Sequence, residues 1–254
     1  MANYYQYLIV LRHGQTPPNM MIETPTDAHF YPVTGADTTI GMTVFGVEQV
    51  VEAAEFIVKF LGKLRLKRIF CSQFYRTRQT ALLVQKALPY HPPVREDKRI
   101  AKRGYGDFWN ITYAGVKALY PEEYAKFMEV GSYMYRPPGG ENYPDLKVRL
   151  ESFIADEIEG SDDNICISGH AAGVLMLEQM LLGELTNYEL VERYDNIAVL
   201  NATVTVYRRL ILPKVFGVRL APPAWFRNLC GLNQRPAWKK VASFVPSAST
   251  RKVA

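Results

Sequence analysis

The chain is poor in cysteine. It has three in 254 residues, Cys71, Cys166 and Cys230, odd in number and without a C-x-x-C pair. This spacing excludes a disulfide framework and a zinc knuckle, and it fits reduced thiols in a cytoplasmic compartment. Long apolar runs are missing too: none approaches the ~20 residues of a bilayer-spanning helix. The opening MANYYQYLIV has no basic n-region and too short an apolar stretch for a secretory signal. Acidic residues are absent from the C-terminal region. Residues 213–254 hold eight Lys or Arg and no Asp or Glu; since the whole chain carries +5, the first 212 residues carry −3. The basic character belongs to the tail, which weakens any reading of the body as a nucleic-acid binder.

What remains is ordinary for a globular protein with a full core, 48% apolar and 22% charged. Short apolar segments predict strands at Tyr7–Leu11, Arg68–Cys71, Asn164–Ser168 and Ile197–Tyr207, the last a hairpin or bent pair because Asn201 interrupts it. Helical periodicity marks Thr43–Leu61, Arg76–Leu88, Pro121–Met128, Tyr143–Ile158 and Ala171–Leu182. Strands alternating with helices predict an α/β three-layer sandwich, a mostly parallel sheet with helices on both faces. Pro17–Gly41 and Tyr133–Tyr143 read as loops. The expected organisation is a catalytic domain over residues 1–212 and a basic, aromatic extension over 213–254.

That extension interleaves Trp225, Phe226, Trp238 and Phe244 with basic residues. The favoured reading is a segment that wraps back onto the domain through its aromatics. A docking arm for a partner or an anionic surface is the alternative. No nucleic-acid-binding module is recognisable, and the oligomeric state is not legible.

The four histidines divide into two pairs. His29 and His91 sit in polar or Pro-flanked loops and read as surface residues. His13 in LIVLRHG and His170 in ICISGHAAG each follow an apolar strand and stand beside glycine or small residues. Ligands of open α/β sheets bind beyond the carboxyl ends of the strands, so both imidazoles are expected in one crevice. Arg12 precedes His13, and Arg76 and Arg78 open the helix after the second strand. Fixed guanidinium charge around two imidazoles disfavours a metal and favours a multi-oxygen anion such as phosphate. No metal or cofactor is implied.

Five ordered blocks carry a resemblance: LRHGQT followed by Asn19, MTVFGVEQ from Met42 to Gln49, SQFYRTRQTA, RPPGGEN and ISGHAAG. Together they resemble the signatures of the histidine phosphatase superfamily, the phosphoglycerate mutase-like fold, over about residues 7–207. The resemblance implies a phosphomonoesterase with a small phosphorylated substrate. His13 would attack phosphorus and become phosphohistidine, with Arg12, Arg76, His170 and Asn19 around the phosphate oxygens and Arg78 facing solvent. An Arg-Arg pair that mutases of the family use is absent between the acid block and the Pro-rich turn, which implies the phosphatase-type branch.

One block departs from the family pattern. Where a general-acid glutamate is expected, RIAKRGYGDFWN places Lys102. Three accounts stay open: Lys102 is itself the acid, a nearby carboxylate (Glu141 or Asp107) reaches in, or the protein works slowly on good leaving groups or only binds phosphate. The last includes a pseudoenzyme that holds a phosphorylated ligand or docks a partner. Glu141, beside a turn and a helix start, has an alternative role as an N-terminal helix charge.

Overall fold

The computed structural model describes residues 5–22, 27–196, 199–210, 214–215, 218–219 and 238–247. Its strands are β1 (Tyr5–Arg12), β2 (Arg68–Cys71), β3 (Val94–Glu96), β4 (Ile165–Gly169), β5 (Val204–Leu210), a two-stranded ribbon β6 (Lys214–Val215) and β7 (Val218–Arg219), and β8 (Lys239–Phe244). Its helices are α1 (Pro17–Ile22), α2 (Val44–Leu61), α3 (Tyr75–Ala87), α4 (Tyr113–Leu119), α5 (Pro121–Met134), α6 (Tyr143–Phe153), α7 (Ala171–Leu182) and α8 (Asn187–Asp195).

The main sheet has the order β3-β2-β4-β1-β5-β8. The first four strands are parallel, and β5 and β8 are antiparallel additions. Residues of β1 alternate between two cores. Leu8 and Val10 join Tyr143, Leu150, Phe153 and Leu175 on the α6–α7 face. Ile9 and Leu11 join Val50, Ile57, Ala81 and Val84 on the α2–α3 face. Burial on both faces is why β1 and β4 read as continuous apolar runs; each such side chain contributes about 1.5–3 kcal/mol.

Several expectations need correction. The strand expected over 197–207 begins only at Val204: residues 199–203 form a turn in which Ala202 adopts φ +54° and donates its N–H to the His13 carbonyl, while 197–198 lie outside the described residues. The helix from Pro121 continues past Met128 to Met134, broken by an extended Gly131 at φ 77°, ψ 159°. The helix from Tyr143 changes to a wider π turn at Ile154–Glu159. The loop at 17–41 contains α1 and a 3₁₀ turn at Asp37–Thr39. Four strands were not expected: β3, β6 and β7 are too short to show alternation, and β8 begins with two adjacent lysines. Edge strands commonly carry such lysines.

Part of the 213–254 segment therefore completes the main sheet. Trp238 is buried in the α6–α7 core, and Phe244 stacks on Phe56 with centroids 4.9 Å apart. Trp225, Phe226 and Cys230 lie outside the described residues. Among the described residues, no helix is long and apolar enough to cross a membrane.

Candidate active site

Strand register brings the two histidines together. Arg12 at the end of β1 lies level with Gly169 at the end of β4, and the His13 N–H donates to the Gly169 carbonyl at 3.1 Å. The rings of His13 and His170 meet edge to face, centroids 5.2 Å apart, and both are buried. On the other side of β4, Cys71 of β2 lies level with Ser168, so Ser72 and Arg76 arrive at the same end. Three neighbouring parallel strands thus deliver the cluster, at the point where the chain's crossovers part around β4.

The glycines of the motifs hold this loop in place. A Cβ on Gly14 would fall 2.2 Å from the Gly46 carbonyl oxygen, and one on Gly46 would fall 2.2 Å from that of Gln15. The two backbones touch, which only glycine permits. Thr43 caps α2 by accepting from Gly46 N–H at 2.9 Å, and Gln49 Oε1 accepts from Gln15 N–H at 2.9 Å. The block Met42–Gln49 is therefore a clamp on the His13 loop.

His13 Nδ1 lies 2.7 Å from the Gly14 carbonyl oxygen. A carbonyl only accepts, so Nδ1 carries the proton and Nε2 presents its lone pair. Burial first, then the charges of Arg76, Arg12 and Lys102, hold its pKa well below the ordinary histidine value, against the opposing bond to Gly14. The ring is neutral at pH 7. His170 is lowered in the same way, by burial and then by Arg76, His13, Lys102 and Arg12. Its Nε2 is 2.8 Å from Ser72 Oγ, and its Nδ1 is buried without a hydrogen-bond partner among the described residues. With the Ser72 hydroxyl turned to Nε2, that Nδ1 becomes a donor for an oxyanion.

Arg76 is buried and lies over the Phe74 ring at 4.5 Å. It pairs with Asp37 Oδ1 at 3.0 Å and donates to the Asp37 backbone carbonyl at 2.8 Å. The other Asp37 oxygen accepts from Lys102 Nζ at 2.7 Å. Arg12 donates to the Val199 carbonyl. Asn19 Oδ1 accepts from both the N–H and hydroxyl of Thr16, at 3.0 and 2.9 Å, which ties α1 to the histidine loop.

All of these groups line one cavity of about 450 Å³: Arg12, His13, Asn19, Arg76, Lys102 and His170, with Asp37 among them. Asp37 was not anticipated, because a long Pro- and Thr-rich loop carries no periodic signal. Ser72 was within a recognised motif, and its place directly after β2 could have marked it. Glu141 and Asp107 are not among the lining residues. Glu141 Oε1 and Oε2 accept from Arg149 at 2.8 and 2.9 Å, and Oε2 also takes the Gly104 N–H at 2.8 Å. Burial would raise its pKa, but these bonds and the charges of Arg149 and Arg103 outweigh it and hold the carboxyl below the usual range. Glu141 thus ties the 102–106 loop to α6. Asp107 is exposed. Arg78 is half-exposed and pairs with Glu96 at 3.2 Å, and His29 and His91 are exposed. Cys71 and Cys166 are free and buried, their thiols pushed up by burial to about 11 and about 12. No cluster of three metal-ligating side chains occurs among the described residues.

Known proteins resemble this chain in sequence and in fold. The bovine (Bos taurus) 6-phosphofructo-2-kinase/fructose-2,6-bisphosphatase 3 is 36% identical over 130 residues, half of this chain but 26% of its own length. The chicken (Gallus gallus) 6-phosphofructo-2-kinase/fructose-2,6-bisphosphatase is 29% identical over 161 residues, 63% of this chain and 29% of its own. The chain matches only about a quarter of the length of these relatives. Among solved structures, the alpha-ribazole phosphatase from Shigella flexneri superposes with a TM-score of 0.63 at 19% identity, over 86% of this chain and 99% of that one. A mycobacterial glucosyl-3-phosphoglycerate phosphatase gives 0.56 at 23% identity, over 81% and 91%. These two likenesses speak for the fold. The family model for the histidine phosphatase superfamily (branch 1) matches residues 8–209, the span from β1 to β5 that carries both histidines, and the chain belongs to that superfamily.

Proposed function

We propose that the protein is a phosphomonoesterase that works through a phosphohistidine on His13 and takes a small phosphorylated substrate. The observation that supports it most is the state of His13: neutral, its Nδ1 proton committed to the Gly14 carbonyl, and its Nε2 in a cavity ringed by cations. The Nε2 lone pair forms the N–P bond as the ester P–O bond breaks, and the leaving oxygen takes that bond's electron pair. Arg12, Arg76 and the Nδ1 of His170 hold the three equatorial oxygens, and Asn19 assists. Water then attacks phosphorus, the N–P bond breaks, and inorganic phosphate departs with His13 restored.

The ion pairs of Asp37 supply Arg76 and Lys102 with negative charge of the kind a substrate phosphate brings. A phosphate dianion arriving between Arg76 and Lys102 replaces what the carboxylate supplies to them. Lys102 sits where the family's acid is expected, so positive charge there, rather than a carboxylic proton, offsets the developing charge on the leaving oxygen. The bifunctional relatives are named for a sugar bisphosphate, but a shared family over a quarter of their length does not carry that substrate here.

A direct test is hydrolysis of 4-nitrophenyl phosphate, whose leaving group needs no acid. His13→Ala is expected to lower kcat by ~10³-fold or more, and acid-labile phosphate should be trapped on the wild-type protein alone. Equal rates for wild type and His13→Ala would overturn the reading. Lys102 in the acid's place also supports a second one, a phosphate-binding protein that does not turn over. Phosphate protection of the fold without any His13-dependent hydrolysis would establish that alternative.

A further inference from the structure

Beyond the histidines the cavity wall changes character. Tyr31, Phe108, Trp109, Tyr113, Phe127 and Tyr135 line it. Phe127 meets Tyr113 and Tyr135 edge to face, with centroids 6.0 and 5.4 Å away. Such a wall strips water from whatever enters it. Tyr113 and Tyr135 donate their hydroxyls to Tyr124 and Glu123, so the wall offers a flat apolar body burial and edge or face contacts.

Three of the cavity's cations gather at the histidines: Arg12, Arg76 and Lys102 all act on His13. Arg103, a fourth lining cation, has its guanidinium over the rings of Tyr105 and Tyr143, 4.6 and 4.7 Å from their centroids. The cavity's carboxylates add a further constraint. Asp37 is held by two cations, and Asp195, at the end of α8, acts on Tyr113 of the aromatic side. With Lys102 in place of a carboxylic acid, an ester whose alcohol leaves readily is the better match, and phenols leave more readily than alkyl alcohols.

We propose that the substrate is a small aryl phosphate, a single phosphate esterified to a phenolic body of one or two rings. This rests on the phosphomonoesterase reading above. The test compares kcat/KM for 2-naphthyl, phenyl and cyclohexyl phosphate, glucose 6-phosphate, phosphocholine and a phosphotyrosyl peptide. Phenyl and naphthyl esters have similar leaving groups and differ in the surface they offer the wall. The expected order is 2-naphthyl above phenyl by about tenfold, with the non-aromatic esters lower than phenyl by ~10²-fold or more. Phe127→Ala should bring the naphthyl-to-phenyl ratio close to one, and because the ratio is internal to each protein, partial unfolding does not imitate it. His13-dependent hydrolysis that favours glucose 6-phosphate, phosphocholine or the peptide, or a ratio unchanged by Phe127→Ala, overturns this inference and leaves the phosphatase reading standing. Hydrolysis of every ester independent of His13 overturns the phosphatase reading itself.

Discussion

The two ends of the cavity are built by different means. At the histidine end, His13, His170, Arg12 and Arg76 are buried and hang from the ends of three hydrogen-bonded strands or the first turn of α3. At the aromatic end, Tyr113 and Phe127 belong to α4 and α5; α5 has no buried residue and is interrupted at Gly131. The proposed phosphoryl transfer needs groups held to fractions of an ångström, which the sheet supplies, whereas the proposed recognition of a variable body tolerates the looser support of short helices.

This contrast can be broken from either side, beginning with the strongest effect. Arg76→Gln removes a fixed charge from the phosphate end and should lower kcat/KM for an aryl phosphate by ~10³-fold, measured alongside its melting temperature. Gly46→Ala attacks the clamp beneath His13. With its Cβ 2.2 Å from a backbone oxygen, the loop must shift, and stability should fall by about 3 kcal/mol in urea unfolding, with activity lost as well.

The same change at the other end should be milder. A Cβ on Gly131 meets nothing within 4 Å, so Gly131→Ala carries only the backbone cost of its positive φ, about 1–3 kcal/mol. It should alter aryl-ester KM more than kcat in steady-state kinetics. If Gly131→Ala instead lowers kcat as strongly as Gly46→Ala, the division between a rigid and a tolerant end is wrong.

The smallest expected effect concerns pH. Both histidines have folded pKa values below their unfolded value of about 6.5. The unfolded chain therefore binds more protons below that pH, and stability falls as pH drops from about 6.5 toward the folded values. Melting temperatures from pH 8 to pH 5 should decline, and His13→Asn and His170→Asn should each flatten the decline. Bound inorganic phosphate, which favours the protonated rings, should protect more at pH 5.5 than at pH 8.

Much of the candidate site is legible in the sequence. Two histidines after apolar strands, with arginines beside them, mark the cluster that the fold brings together. What escaped had no local signature. Asp37 sits in a loop whose sequence says only that it is not a helix or a strand, and its role comes from Arg76 and Lys102, 39 and 65 residues away. Glu141 shows the reverse. Its sequence position was suggestive, but Arg149 and the Gly104 N–H hold it outside the cavity. Lys239 and Lys240 carry no strand signal of their own, yet they lie on an edge strand whose pairing with β5 is a long-range contact.

The sequence by itself determined the alternation of strands and helices and the motifs that carry the two histidines and their arginines, because periodicity and fixed charge are local properties. Only the tertiary structure decided that β4 inserts beside β1 and sets His170 against His13. It alone decided that Asp37 pairs with Arg76, and that aromatics from the 31, 108–113 and 127–135 segments face one space. Those facts depend on strand order and on packing between distant segments, which no short stretch of chain encodes.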